Sequence, residues 1–305
     1  MSKRRHHIFR NVFFCLLLAT VVLGAWFMLS HGSAPSDEEL ETRPHRVKIL
    51  TWNTERMGHY QKPGRNEVLR FLMNQDADII CLQEVDVYKS DEFLTLPEVK
   101  KVLGSKYAYS YLDFSVYDLR HQFGTMVWSH YPLVNKQSIH YETRANLSNR
   151  CDVVIGTDTL RLINNHLESY NFTNADLADA DTMRNYEGIR VSVKRLESKW
   201  KRALPLRNAQ SRIIKKEINE SPYPVIVVGD FNASALSYAY RHISRGLHDA
   251  WTETSFGRWG ATCEKRGIGM RIDYILCSDP LLPVSCTIPA TTASDHRPVV
   301  AVLAW

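Results

Sequence analysis

Cysteine is scarce and unpatterned. Six occur in 305 residues, Cys15 sits inside an apolar run, and the odd five beyond it exclude a disulfide framework. Repeat periods and low-complexity tracts are missing too. With 44% hydrophobic and 10% aromatic residues the chain is too apolar for disorder, and its length allows one large domain or two small ones. Net charge is also lacking where it would matter. Four of the 38 lysines and arginines (Lys3, Arg4, Arg5, Arg10) lie in the first ten residues, leaving 34 against 33 acidic residues. A body this close to neutral carries no basic footprint for nucleic acid.

No acidic residue precedes Asp37, and no charge of either sign occurs from Asn11 to Ser30. Val12–Leu29 is almost wholly apolar, and eighteen helical residues span about 27 Å, near the roughly 30 Å of a hydrocarbon core. A basic flank lies before this run, and Asp37, Glu38, Glu39 and Glu41 follow it. The positive-inside rule therefore reads residues 1–10 as a cytoplasmic tail, 11–30 as a transmembrane anchor and 31–45 as a polar linker. It places the body, 46–305, outside the cytoplasm as one domain. A cleaved signal peptide is the competing reading, since Gly32 and Ala34 fit a small-x-small site. The run is longer than a usual signal core and Pro35 would follow the cut, so the anchor is favoured.

From Arg46 onward, short apolar runs alternate with longer amphipathic stretches. Strands are expected at Val47–Trp52, Ala77–Leu82, Tyr107–Phe114, Thr125–Ser129, Ser138–Tyr141, Cys151–Gly156, Thr159–Asn165, Val225–Val228, Ile272–Cys277 and Pro298–Leu303. Helices are expected at Asn66–Asn74, Leu96–Leu103, Ala175–Leu204 (with a break) and Asn208–Glu220. Helical crossovers mixed with hairpins imply α/β, and so many strands imply two packed mixed β-sheets flanked by helices.

Polar residues recur where the apolar strands stop: Asn53 after VKILTW, Glu84 after ADIICLQ, Asn164 and His166 in INNHLES, and Asp230 and Asn232 in VIVVGDFN. Asp273 lies in RIDYIL, and Asp295 and His296 lie in SDHRPVV. Ligands gather beyond the carboxyl ends of strands in such sheets. Asn164 and His166 are two apart and share a face of an extended strand, as do Asp230 and Asn232. Asp295 and His296 are adjacent, so both reach one site only from an irregular turn. Each residue alone has a plain structural reading: a solvated edge, an Asx turn, a satisfied histidine. Their joint occurrence does not.

In this order, WN at 52–53, QE at 83–84, NxH at 164–166, GDFN at 229–232, IDY at 272–274 and SDH at 294–296 resemble the motifs of the endonuclease/exonuclease/phosphatase superfamily. The resemblance covers Arg46 to Trp305 and implies a four-layer α/β sandwich and metal-dependent phosphoester hydrolysis. It implies Glu84 as the principal Mg²⁺ or Mn²⁺ ligand, with Asn53 and Asp295 close to the metal. Oxygen donors without a thiolate or paired-histidine signature suit a hard cation. Asp230 and Asn232 would position water or phosphate oxygens, and His296 would meet the scissile phosphate with Asp273 orienting its ring. His166 would donate to a phosphate oxygen, and Asn164 would hold its strand end. The general base is Asp230 or His296. The expected partners are a membrane, through residues 11–30, and a phosphoester: nucleic acid or a phospholipid head group. A silent scaffold on the same fold is the alternative, opposed by the complete motif set.

Outside the motifs, Ser169–Leu204 is an insertion-like stretch carrying Arg184, Arg190, Lys194, Arg195, Lys199, Lys201 and Arg202. It reads as a basic lip over the site or, more plainly, as a solvated helix. Cys277 and Cys286 are candidates to pair outside the cytoplasm, although their spacing is no argument for it, and Asn146 and Asn171 lie in glycosylation sequons.

Overall fold

The computed structural model describes residues 36, 42–58, 64–117, 120–143, 146–170, 186–255, 258–265 and 268–305. The expected anchor at 11–30 lies outside these. Among the described residues, no helix is long and apolar enough to cross a membrane.

Two six-stranded sheets form the frame. The first has the order β13-β14-β1-β2-β4-β3, built from β1 (Arg46–Asn53), β2 (Ile79–Tyr88), β3 (Tyr109–Tyr117), β4 (His121–Ser129), β13 (Leu282–Thr287) and β14 (Val299–Ala304). The second has the order β5-β6-β7-β8-β12-β9: β5 (Leu133–His140), β6 (Leu147–Ile155), β7 (Asp158–His166), β8 (Val225–Asp230), β9 (His248–Asp249) and β12 (Asp273–Cys277). One parallel pair sits inside each sheet, β1 with β2 and β7 with β8, and the remaining pairs are antiparallel. A separate hairpin joins β10 (Cys263–Lys265) to β11 (Ile268–Met270).

The strands are apolar on both faces because both faces are covered. Val47, Ile49, Ile79 and Cys81 point between the sheets, meeting Cys151, Leu160, Leu162, Ile226 and Val228 from the other side. The alternate residues Leu50, Trp52, Ile80 and Leu82 pack outward on α1 (Glu67–Met73) and α2 (Leu96–Leu103), which supply Val68, Leu69, Leu72, Val99 and Leu103. On the second sheet, Ile163, Val227 and Leu276 face α3 (Tyr186–Asn219) and α4 (Tyr238–Ser244). Three apolar layers thus separate helix, sheet, sheet and helix.

Asn66 and Thr95 cap α1 and α2 with their side-chain oxygens, which is why both helices begin where the sequence places them. The two helices expected on either side of Pro205, ending at Leu204 and starting at Asn208, are one, and α3 runs unbroken through Pro205. Ala203, Arg207, Gln210, Ser211, Ile214 and Ile218 are all buried, a stripe continuous across the proline whose packing outweighs one lost backbone bond. The segment β13 goes unread in the sequence because Pro283 demotes it. It is an edge strand, where proline is tolerated. Cys277 and Cys286, candidates for pairing, are both free and buried. Asn146 is also buried and donates its amide to Leu167 O at 2.8 Å, so it is not presented to a glycosylating enzyme. Asn171 lies outside the described residues.

Gly229 fixes the end of β8. Its φ is +119°, and a Cβ there would lie 2.1 Å from Asn165 O. Gly229→Ala is expected to cost about 3 kcal/mol or more, from the forbidden backbone and the clash together. In a domain of this size that lowers Tm by roughly 6–12 °C. A thermal melt within about 2 °C of wild type would show instead that β7 and β8 part without penalty.

Candidate active site

The parallel pairs set the geometry. The ends of β1 and β8 meet where Asn53 Nδ2 donates to Asp230 Oδ2 at 2.9 Å, so both sheets deliver their strand ends to one point. The same amide donates to Glu84 Oε1 at 3.0 Å, and Asn53 Oδ1 accepts from Glu55 N at 3.1 Å. Two acidic acceptors leave only the nitrogen to face them, which fixes the amide orientation.

Glu84 owes its position to a bulge. Between Leu82 and Val85 the pairing with β4 slips, and Glu84 adopts φ +50°, turning its carboxylate out of the regular alternation. His166 Nε2 lies 3.3 Å from Glu84 Oε1, ion-pair distance without hydrogen-bond alignment, so this buried nitrogen makes no hydrogen bond. Burial alone would raise the Glu84 carboxyl, but His166, Asn53 and His296 outweigh it and bring it down to about 2. Burial works against a charged His166 ring, yet Glu84 and Asp230 hold its pKa above the ordinary value.

On the other side, His296 Nδ1 lies 2.9 Å from Asp273 Oδ2, and Nε2 lies 4.0 Å from Asp230 Oδ2 and 3.9 Å from Asp295 Oδ1. Burial opposes charge on the His296 ring, but Asp273 and Asp230 win and raise its pKa well above the ordinary range. Asp230 moves upward as well, to about 6, through burial first and repulsion from Asp273 second. Asn232, at φ +49°, turns back to donate N–H to Asp230 Oδ1 at 2.7 Å and Nδ2 to Leu167 O at 3.0 Å.

The irregular turn required for Asp295 and His296 is present. Ser294 Oγ donates to Asn53 O and accepts from His296 N, Asp295 N donates to Glu55 Oε2, and Trp52 Nε1 donates to His296 O. Asn164 is not at the mouth of the site. Its Oδ1 accepts from Gln83 Nε2 at 2.6 Å and its Nδ2 donates to Leu82 O at 3.3 Å, tying β7 to β2 between the sheets. Close clusters of ligand atoms among the described residues are Asp230–Asp273–His296 and Cys263–Asp295–His296, each within 4.8 Å. Glu84 stands in neither, being engaged with Asn53 and His166.

Some contributors escape sequence reasoning. Thr262 Oγ1 accepts from the backbone of Ile272 and Asp273, placing the carboxylate that holds His296. Gln83 links Thr51 to Asn164 across the sheets. Only its place in the QE pair marks Gln83, and nothing in the sequence marks Thr262. Of the basic stretch, Lys201 is exposed and pairs with Glu197, while Arg202 Nη2 lies 3.9 Å from Glu168. Arg184 and the side chains of Arg190, Lys194 and Arg195 lie outside the described residues.

Comparison with known proteins agrees with this geometry. A protein from Beutenbergia cavernae, described as an endonuclease/exonuclease/phosphatase, superposes with a TM-score of 0.65 at 17% identity, covering 85% of this chain and 71% of the other. TDP2 from Caenorhabditis elegans gives 0.58 at 21% identity, covering 86% and 76%. The catalytic domain of human Nocturnin gives 0.59 at 17%, covering 86% and 94%. No curated protein matches in sequence. At these identities the structures establish the fold alone, while the family model of the Endonuclease/Exonuclease/phosphatase family matches residues 50–296. That span is most of the chain and holds every site residue named above, so the chain belongs to the endonuclease/exonuclease/phosphatase family, whose members are generally hydrolases of phosphoesters.

Proposed function

We propose that this protein is a phosphodiesterase that works with Mg²⁺ or Mn²⁺, held by residues 11–30 at a membrane surface outside the cytoplasm. The observation that carries the reading is one connected network, Glu84–Asn53–Asp230–His296–Asp273, at the joined strand ends of both sheets. The anchor rests on the uncharged run from Asn11 to Ser30.

The donor set fits a hard cation. Glu84, Asp230, Asp273 and Asp295 outnumber His166 and His296, so even with both rings protonated the site is acidic and would repel a phosphodiester. Glu84 and Asp295 are also the open carboxylates, with side chains 28% and 32% exposed, against 1% for Asp230 and Asp273. These two would hold the ion, with Asn53 fixing the Glu84 carboxylate beside it. A bound divalent cation supplies the positive charge that offsets the phosphate and the leaving oxygen.

The buried groups divide the remaining work. His296, whose protonated form Asp273 and Asp230 favour, donates to a phosphate oxygen and is a poorer proton acceptor than Asp230. Asp230, raised toward neutrality, has the affinity a general base needs and takes the proton of the attacking water. Asn232 donates to both oxygens of that carboxylate, and His166 Nε2, which meets Glu84 at ion-pair distance, is the donor for a phosphate oxygen.

The test is a hydrolysis screen of the full chain in detergent, with Mg²⁺, Mn²⁺ or EDTA and His296→Ala as blank. Plasmid DNA, RNA, sphingomyelin, phosphoinositides and a chromogenic bis-phosphodiester are offered in parallel. Metal-dependent turnover of any of them is expected, with a loss of about 10²–10⁴-fold in the blank. Cleavage of nucleic acid or of lipid selects the substrate class. Silence on all five would sink the enzyme reading and favour the scaffold.

A further inference from the structure

The strand β10 places a thiol against the catalytic histidine. Cys263 forms an isolated antiparallel bridge with His296, and Arg297 N donates to Thr262 O at 2.6 Å, so the backbone itself fixes the pair. Directly opposed residues of an antiparallel pair have Cβ atoms about 4.5–5.5 Å apart. One ligand atom each from Cys263, Asp295 and His296 lies within 4.8 Å of the others. His296 Nδ1 is engaged by Asp273, which leaves Nε2, 3.9 Å from Asp295 Oδ1, as the nitrogen open to a metal. A carboxylate on the far nitrogen is the arrangement that orients and strengthens a histidine ligand.

We propose that Cys263, Asp295 and His296 form a site for a thiophilic divalent cation of the zinc class, and that filling it switches hydrolysis off. A sulfur, a nitrogen and an oxygen donor with one position left open make up a tetrahedral zinc set. Bond lengths of about 2.0–2.3 Å put such ligand atoms roughly 3.5 Å apart. The ligand atoms lie within 4.8 Å of one another here, and His296 Nε2 and Asp295 Oδ1 at 3.9 Å, so filling the site would draw the three side chains closer together. Magnesium gains nothing from a thiolate, so the softer ion wins here even when the hard ion is abundant. Binding forms the metal–sulfur and metal–nitrogen bonds and releases two protons to solvent, one from the Cys263 thiol and one from His296 Nε2, while Nδ1 keeps its proton toward Asp273. It also takes His296 Nε2 away from the phosphate and Asp295 away from the activating cation. The inhibition rests on the hydrolase reading; the binding does not.

Cobalt(II) reports the site without reference to activity, since a thiolate ligand gives a near-ultraviolet sulfur-to-cobalt charge-transfer band. The metal-free full chain in detergent, titrated with Co²⁺, is expected to develop this band, and Zn²⁺ to abolish it. Cys263→Ser is expected to show none, although the other five cysteines remain. With Mg²⁺ in excess, half-inhibition by Zn²⁺ is expected to need at least about 10-fold more zinc in Cys263→Ser. Should serine unfold the hairpin, as circular dichroism would show, Cys263→Ala repeats the titration. No band in wild type, or an equal band in the variant, overturns the site. A band with zinc-insensitive hydrolysis keeps the site and overturns the switch. A band in a protein without hydrolysis upholds the site and overturns both the switch and the phosphodiesterase reading.

Discussion

Asp273→Asn is expected to lower kcat by about 10²–10⁴-fold while leaving KM within a small factor. Asp273 reaches the reacting atoms only through the His296 ring, so the variant loses orientation and charge, not substrate contact. The two raised groups make the test specific. Asp273 is the first of the carboxylates that raise His296 against the cost of its burial, and it stands second, after burial, among the causes that raise Asp230. Without its charge both groups titrate lower. If His296 must be protonated and Asp230 ionised, both limbs of the pH–rate profile shift toward acid together. Nuclear magnetic resonance of the metal-free protein is expected to show the His296 midpoint falling in parallel. A loss of rate with an unmoved profile and an unmoved histidine would reduce Asp273 to a packing role.

The site was more legible in the sequence than its supports, for a physical reason. Site residues interrupt apolar strands, and a carboxylate after IICLQ or an SDH before PVVAV is conspicuous against its surroundings. Asn164 shows the limit. It shares a face with His166, as the two-residue spacing requires, but lies one step deeper, where the sheets close over it and Gln83 takes its oxygen. Strand periodicity fixes the face and leaves the depth open. Glu84 shows another limit, because its posture comes from a bulge against β4, and pairing between strands 40 residues apart leaves no local mark. Pro205 misleads in the opposite way. Intrinsic propensity breaks the helix there, and the buried stripe from Ala203 to Ile218 restores it. Cys263 is silent in sequence, since only its bridge to His296 gives the thiol a neighbour with chemistry.

Glu84→Gln keeps the shape of the side chain and removes the charge, which separates cation binding from packing. Hydrolysis is expected to fall by about 10²–10³-fold, the usual loss when a preorganised electrostatic partner is deleted. Wild type should gain thermal stability on adding Mn²⁺, and the variant should gain little, because an ion at concentration c that binds only the folded state stabilises it by RT ln(1 + c/Kd), which vanishes when c falls well below Kd. The metal-free proteins differ in a second way. Glu84 is depressed to about 2 on folding, so its contribution to stability is present above its ordinary value near 4.5 and is lost as pH falls toward 2. His166 is raised, so its contribution is complete below its ordinary value near 6.5 and is lost as pH climbs through the folded value. The pair therefore stabilises most between about pH 4.5 and 6.5, and the Tm difference between wild type and Glu84→Gln should peak in that window. At 28% exposure the Glu84 carboxylate is partly screened by water, so the peak is broad and modest. A Tm difference that is flat with pH would mean the amide repacks the bulge, and an unchanged Mn²⁺ response would remove Glu84 from the cation site.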